Sequence, residues 1–353
     1  MRALIFLLAL TLNVHAEILI GVAGPMTGSY AVFGSQMMAG VKAAVDDLNA
    51  NGGIGGDLVE VLTADDACDL KQAENAATTL INQNVSVVIG HFCSYPSLAA
   101  AKLYEVANIP MLSPSATLPA LTEAGLSNVI RLSSRDDAQG SIAATRIQQN
   151  FPAAQIAVLS DGTGPSQALI ATFKASFAGQ QAAAFTFKPD TNDFEGIISD
   201  LKSKNIKALY CGCSAADAGT LAQQLDGKIK IFGPDALLVP QFWELAEQAG
   251  EGTTVSFAVD PQTIPDAQDL IRKLKSEKLA ISAVFIQSYA AIQVFAAASK
   301  ATALTTGKAL SIHLQSGTVF PTVLGKLSFD GKGDVREHRF VWYEWSNGKF
   351  SQQ

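Results

Sequence analysis

Short apolar runs alternate along this chain with longer segments whose apolar residues recur every three or four positions, a pattern of strands followed by amphipathic helices. Residues 17–24, EILIGVAG, read as a strand, and 33–50 as the helix after it, stopped by the glycines of NANGGIGG. The alternation repeats through a strand at 57–66, a helix at 71–83, a strand at 85–92 and a helix at 97–107. It resumes with QIAVLSD, SQALIATFKASFAG, AAAFTF, FEGIISDLKSKN, KALYCGC and AADAGTLAQQLDG, up to residue 227. Repeated βαβ units predict parallel sheets covered by helices on both faces, here in two successive lobes. The pattern breaks at SSRDDAQG, 133–140, and again near FAVDPQTIPDA, 257–267. A long helix through 281–301 and a closing strand pair, RFVWYEW and KFSQ around SNG, follow the second break. A chain that crosses between lobes more than once makes a hinge, and open α/β sheets place ligands at the carboxyl ends of their strands.

The first residues interrupt this scheme. Arg2, an apolar run over 3–12, and small residues at Val14 and Ala16 read as a secretory signal peptide ending at Ala16. The run is too short for a membrane anchor, which needs about 20 apolar residues. The expected mature chain begins at Glu17, is soluble and sits in an oxidising compartment, the periplasm. The 353 residues less these 16 leave 337, more than one core usually holds. The net charge of −7 becomes −8 without Arg2, and no block of basic residues occurs, so nucleic acid and anionic membrane are poor partners. All four cysteines lie in the mature chain, where bridges are favoured. Cys211 and Cys213, two apart in an apparent strand, are read as pointing to opposite faces and are not expected to bridge each other, and Cys68 and Cys93 form the better pair.

The stretch GHFCSYPS sets His91, Cys93 and Ser94 close together. A cysteine nucleophile needs a thiolate, which a bridge removes. His91, His313 and His338 are dispersed and show no metal-ligand spacing. There is no GxSxG, GxGxxG or P-loop, so no catalytic, metal or cofactor site is expected. Ser94 ends a strand before a helix, where its hydroxyl either caps that helix or, with the exposed N–H groups, holds a ligand carboxylate. SPSAT, 113–117, poses the same choice. Asp235, at a strand end in IFGPDALL, is either a solvated loop acid or the partner of a ligand's ammonium. Tyr289 is either core or pocket wall.

ADDACDLKQA, IGHFCS, SPSAT, RDDAQG, FGPD, SYAAIQ and PTVLGKLSFDGKGD occur in an order and spacing that resembles the periplasmic binding proteins of the leucine, isoleucine and valine transport type. These are the substrate-binding components of ABC importers. The resemblance spans nearly all of the mature chain. It implies an α/β, type I periplasmic binding protein fold: two Rossmann-like, doubly wound lobes joined by a three-crossover hinge. The lobes are then 17–136 with 260–327, and 137–259 with 328–353. The family's disulfide falls on Cys68 and Cys93. Its carboxylate-binding positions fall on Ser94, Ser115, Ala116 and Thr117, and its acid for the ammonium on Asp235. Aromatic walls fall on Phe33 and Tyr289.

The chain departs from the family in its second lobe, where Pro165 and Ser214 stand at or beside expected aromatic positions. Phe92, on the Ser94 face, is expected to fill side-chain space instead. The resemblance thus implies a non-enzymatic, monomeric protein that takes a small amino acid or related zwitterion and delivers it to a membrane permease. The alternatives are a ligand sensor that signals to a receptor and, further off, a Cys/His hydrolase.

Overall fold

The computed structural model describes residues 17–152, 155–178 and 183–353. The segment read as a signal peptide, 1–16, lies outside them. The first apolar run forms strand β1 (Ile18–Gly24), followed by α1 (Ala31–Ala50), β2 (Val59–Asp65), α2 (Leu70–Asn82), β3 (Val87–Gly90), α3 (Ser94–Val106), β4 (Met111–Ser113), the short α4 (Ala120–Glu123) and β5 (Val129–Arg131). The strands pair in the order β2-β1-β3-β4-β5, all parallel. Alternation along them explains their unbroken apolar character. Ile20, Val22, Val87, Ile89 and Leu112 enter one core, while Val88, Met111 and Val129 enter another on the opposite face with α2 and α3.

The second lobe repeats the plan. It holds α5 (Ala138–Gln148), β6 (Ile156–Ser160), α6 (Gly164–Ser176), β7 (Ala183–Thr186), α7 (Glu195–Ser203), β8 (Ala208–Gly212), α8 (Ala215–Leu225), β9 (Lys230–Gly233), α9 (Pro240–Ala246) and β10 (Thr254–Ala258). Leu159, Leu209 and Cys211 bury on one face, and Val158, Ala208 and Tyr210 on the other. The chain then returns to the first lobe as α10 (Gln268–Ser276), α11 (Ala283–Thr302), α12 (Lys308–Leu314) and the hairpin β11 (Phe320–Thr322) and β12 (Gly325–Leu327). Helix α11 lies directly on α1. A Cβ at Gly40 would stand 2.3 Å from the Phe285 carbonyl oxygen, so only glycine allows the approach. Strands β13 (Phe340–Ser346) and β14 (Lys349–Gln352) finish the second sheet, whose order is β14-β13-β10-β9-β8-β6-β7. β13 runs antiparallel to β10.

Three crossovers join the lobes, through residues 132–137, 259–261 and 336–339. The third comes later than the sequence suggests. Residues 328–335, expected in the second lobe, pack on the first: Phe329 and Val335 belong to its core, Arg131 donates its N–H to the Gly333 carbonyl at 2.8 Å, and Val335 donates to that of Arg131 at 3.2 Å. The buried Arg131 guanidinium, bound to Asp334, anchors this segment. A second expectation fails at Cys211 and Cys213, which are bridged, with Cα atoms 5.3 Å apart. Side chains two apart on a strand share a face, β8 ends at Gly212, and the separation is ordinary for a disulfide. Cys68 and Cys93 are bridged as well, and no free cysteine remains among the described residues.

Candidate functional site

The turn after β3 is built from its buried side. Gly90, at φ +144°, brings the chain so close to β1 that a Cβ would stand 2.1 Å from the Ala23 carbonyl oxygen. His91 follows, fully buried, with Nδ1 2.6 Å from Asp66 Oδ2 and Nε2 3.2 Å from the Tyr104 hydroxyl. Asp66 Oδ1 accepts the Cys68 N–H at 2.8 Å, so one carboxylate ties the imidazole to the disulfide loop. The hydroxyls of Ser97 and Ser113 both donate to the His91 carbonyl at 3.2 Å. His91 and Cys93 are therefore structural. The imidazole has two partners in the core, and the sulfur is spent in a bridge.

What this scaffold presents is the predicted hydroxyl set. Ser94 is the first residue of α3 and Cys93 is the cap, so Ser94 does not cap the helix with its side chain. Its Oγ instead accepts the N–H groups of Thr117 and Leu118 at 3.3 and 3.4 Å. Ser115 donates to the Phe92 carbonyl at 3.0 Å, and the Ala116 N–H reaches Ser113 Oγ at 3.2 Å. These bonds join the β3 and β4 turns, so Ser94, Ser115, Ala116 and Thr117 form one patch. Phe92 stands beside it, stacked on Phe33 with ring centres 4.7 Å apart. Because Ser94 Oγ acts only as an acceptor in these bonds, its proton is available to a ligand carboxylate.

Asp235 lies across the interlobe cleft, after β9. It lines a cavity of about 560 Å³ together with Tyr95, Leu118 and Pro119 of the first lobe and Pro165 and Leu169 of the second. Asp136, on the first crossover, lines the same cavity and connects it to the hydroxyl patch. Its N–H donates to the Thr117 carbonyl at 3.1 Å, and the Thr117 side chain hydrogen-bonds its carboxylate. Asp136 is exposed along the cleft, but the cavity wall strips part of the water from its carboxyl. That loss of water, with Asp235 and Asp137 nearby, pushes it above the usual carboxylate range, although the Thr117 bond acts the other way. Asp137 is already paired with Arg135, at 2.7 and 2.8 Å. Among the described residues no lysine, arginine or histidine lines this cavity. Two carboxylates thus face it without a basic partner in its wall. Ser115 and Thr117 line not this cavity but a separate one of about 180 Å³, where residues from all three crossovers meet, Ser133, Pro261 and Arg339 among them.

Two of the sequence-predicted residues do not join this group. Tyr289 is buried between α11 and α1, where its hydroxyl donates to Asp47 Oδ2 at 2.7 Å and Lys273 approaches the same carboxylate. Burial tends to raise the Asp47 pKa, but the bonds from Lys273 and Tyr289 hold it below the ordinary range. Ser214 caps α8, accepting the Asp217 N–H at 3.1 Å, and lines neither cavity. Conversely, Asp136, Gln139 and Tyr95 were missed. The signal is present in RDDAQG, where adjacent acids stand at a lobe boundary, but the sequence reading takes it as a break in the pattern and a family motif and gives its acids no role in the site.

A protein-family model described as periplasmic binding protein matches residues 17–349. The chain belongs to the periplasmic binding protein family. A relative from Pseudomonas aeruginosa called "Amino acid binding protein" is 33% identical over 357 residues, covering 98% of this chain and 95% of the relative. The Leu/Ile/Val-binding protein BraC3 of Rhizobium johnstonii is 32% identical, covering 95% of this chain and 93% of that protein. Among solved structures, a putative branched-chain amino acid ABC transporter protein from Rhodospirillum rubrum superposes with a TM-score of 0.77 at 24% identity, over 96% of this chain and all of that one. A substrate-binding protein from Desulfitobacterium hafniense in complex with Leu gives 0.72 at 22% identity, again over 96% of this chain and all of that one. At these identities the structural likenesses establish the fold: a type I periplasmic binding protein of two α/β lobes. A chain of this family is a substrate-binding protein and not an enzyme.

Proposed function

We propose that this periplasmic binding protein captures a small amino acid, or a zwitterion like it, between its lobes and delivers it to the permease of an ABC importer. The observation that carries the reading is the division of polar groups across one cleft. Hydroxyls and N–H groups of Ser94, Ser115, Ala116 and Thr117 lie on the first lobe, and Asp136 and Asp235 face an adjoining cavity whose wall carries no basic side chain. A carboxylate accepts from the first set, and an ammonium pairs with the second. The printed names of the relatives, for amino acids in general and for leucine, isoleucine and valine, favour the same ligand class. Export by the segment 1–16 and action as a monomer complete the proposal.

On this reading Phe92, stacked on Phe33 beside the hydroxyl patch, limits the side-chain space, while Pro165 in the cavity wall of the opposite lobe adds little bulk. Ligands of alanine, proline or valine size are therefore favoured over leucine and phenylalanine. The preference is graded, because one methylene in an apolar pocket discriminates by only about 1–3 kcal/mol. Mass spectrometry of the small molecules released when the purified protein is denatured tests the proposal. An amino acid in stoichiometric amount is expected, and a ligand lacking either charge would overturn it.

A further inference from the structure

Gln139, in the first turn of α5, has 3% of its surface exposed and makes three hydrogen bonds through its amide. Its Oε1 accepts the Asp235 N–H at 3.0 Å and the Ser256 hydroxyl at 2.7 Å. An N–H can only donate, so Oε1 is fixed as the acceptor and the amide cannot be flipped. Nε2 must then face Asp235 Oδ1, and it does, at 3.0 Å. One residue thus grips both the backbone and one carboxylate oxygen of an aspartate that is otherwise exposed, on a single turn of 3₁₀ helix (Asp235–Leu237). Ser256, fully buried on β10, in turn holds Gln139.

We propose that Gln139 is a positioning residue for ligand capture: it occupies Oδ1 of Asp235 and leaves Oδ2 as the oxygen presented to the ligand's ammonium. All three residues belong to the second lobe, so the carboxylate is oriented before the lobes close and its rotamer need not be ordered during binding. This inference rests on the reading of the cleft as an ammonium site. It makes Gln139 a determinant of amine recognition with no charge of its own.

The experiment is a double-mutant cycle by calorimetric titration of the full-length mature protein with L-leucine, L-valine and L-alanine, on wild type, Gln139→Met, Asp235→Asn and the double variant. Gln139→Met is expected to weaken binding roughly 3- to 10-fold, the cost of ordering the Asp235 side chain during binding instead of before it. The double variant is expected to bind within about twofold of Asp235→Asn alone, because the glutamine acts only through that carboxylate. Wild-type affinity in Gln139→Met, or losses that multiply in the double variant, would overturn the positioning role and leave the site reading intact. Undiminished binding by Asp235→Asn, or no binding of any of the three amino acids to wild type, would instead sink the site reading and this inference with it. If Gln139→Met does not fold, Ser256→Ala takes its place in the cycle. It is expected to lose about fivefold, again only while Asp235 is present, and independence from Asp235 would count against the proposal.

Discussion

At the scale of single residues, Asp136 gives the account its pH dependence. Its carboxyl is raised in the folded protein, first by the partial loss of its water and then by the neighbouring Asp235. A raised acid favours the protonated fold: its contribution is full below the ordinary aspartate range and is lost as pH rises through the raised value. An ammonium arriving beside it favours the ionised form, so ligand binding releases protons in that window. Affinity for an amino acid should therefore climb as pH rises from the ordinary aspartate range through the raised pKa, and Asp136→Asn should flatten the profile. Titrations in a pH series check this, and a wild-type profile as flat as that of the variant would exclude Asp136 from the site. Tyr289 makes the opposite prediction. Because its hydroxyl serves Asp47 between two helices, Tyr289→Phe should cost about 1 kcal/mol of stability and leave affinity unchanged. A large loss of affinity with no change in melting would return it to the pocket. The sequence left Tyr289 ambiguous for a physical reason. The residues of α11 are almost all apolar or small, so no polar face marks which side meets α1 and which meets the cleft.

Among the elements, the turns after β3 and β4 matter more than the strands that lead to them. The Cys68–Cys93 bridge closes a separation of 25 residues, and with Asp66 and His91 it fixes the turn that carries Phe92 and Ser94. Replacing both cysteines by serine should lower stability by about 3.5 kcal/mol on the chain-entropy estimate, with binding still measurable. Chemical denaturation reads the first and titration the second; an unchanged midpoint would show that the hydrogen bonds hold the turn alone. On the proposed size limit, Phe92→Ala should extend the accepted ligands toward leucine and phenylalanine. An unchanged ranking across an amino-acid panel would mean that the Phe33–Phe92 stack lies outside the ligand's reach.

The strand and helix order was legible because both faces of each sheet are buried, which gives continuous apolar runs punctuated by amphipathic helices. The Cys211–Cys213 bridge was not, since side chains two apart on a strand share a face instead of pointing apart, and a run such as KALYCGC does not mark where β8 ends and lets them meet. The late third crossover escaped for a similar reason. Residues 328–335 are held on the first lobe by the buried Arg131–Asp334 pair, 203 positions apart in sequence and invisible to any local pattern.

For the whole molecule, two lobes of similar plan and short crossovers make closing over a ligand the natural motion. Arg135 on the first crossover binds Asp137, Asp334 near the third, and Glu123 of the first lobe, which ties two of the three crossovers to each other. The central claim is that this cleft recognises both charges of an amino acid, with Asp235 taking the ammonium. The most direct measurement is the dissociation constant of wild type and Asp235→Asn for the amino acid that co-purifies, determined by calorimetric titration. Loss of one charge from a desolvated pair costs about 2–5 kcal/mol, so the account predicts at least a 30-fold weaker complex from a protein that melts as wild type does. An unchanged dissociation constant would contradict it and make Asp235 a solvated loop residue.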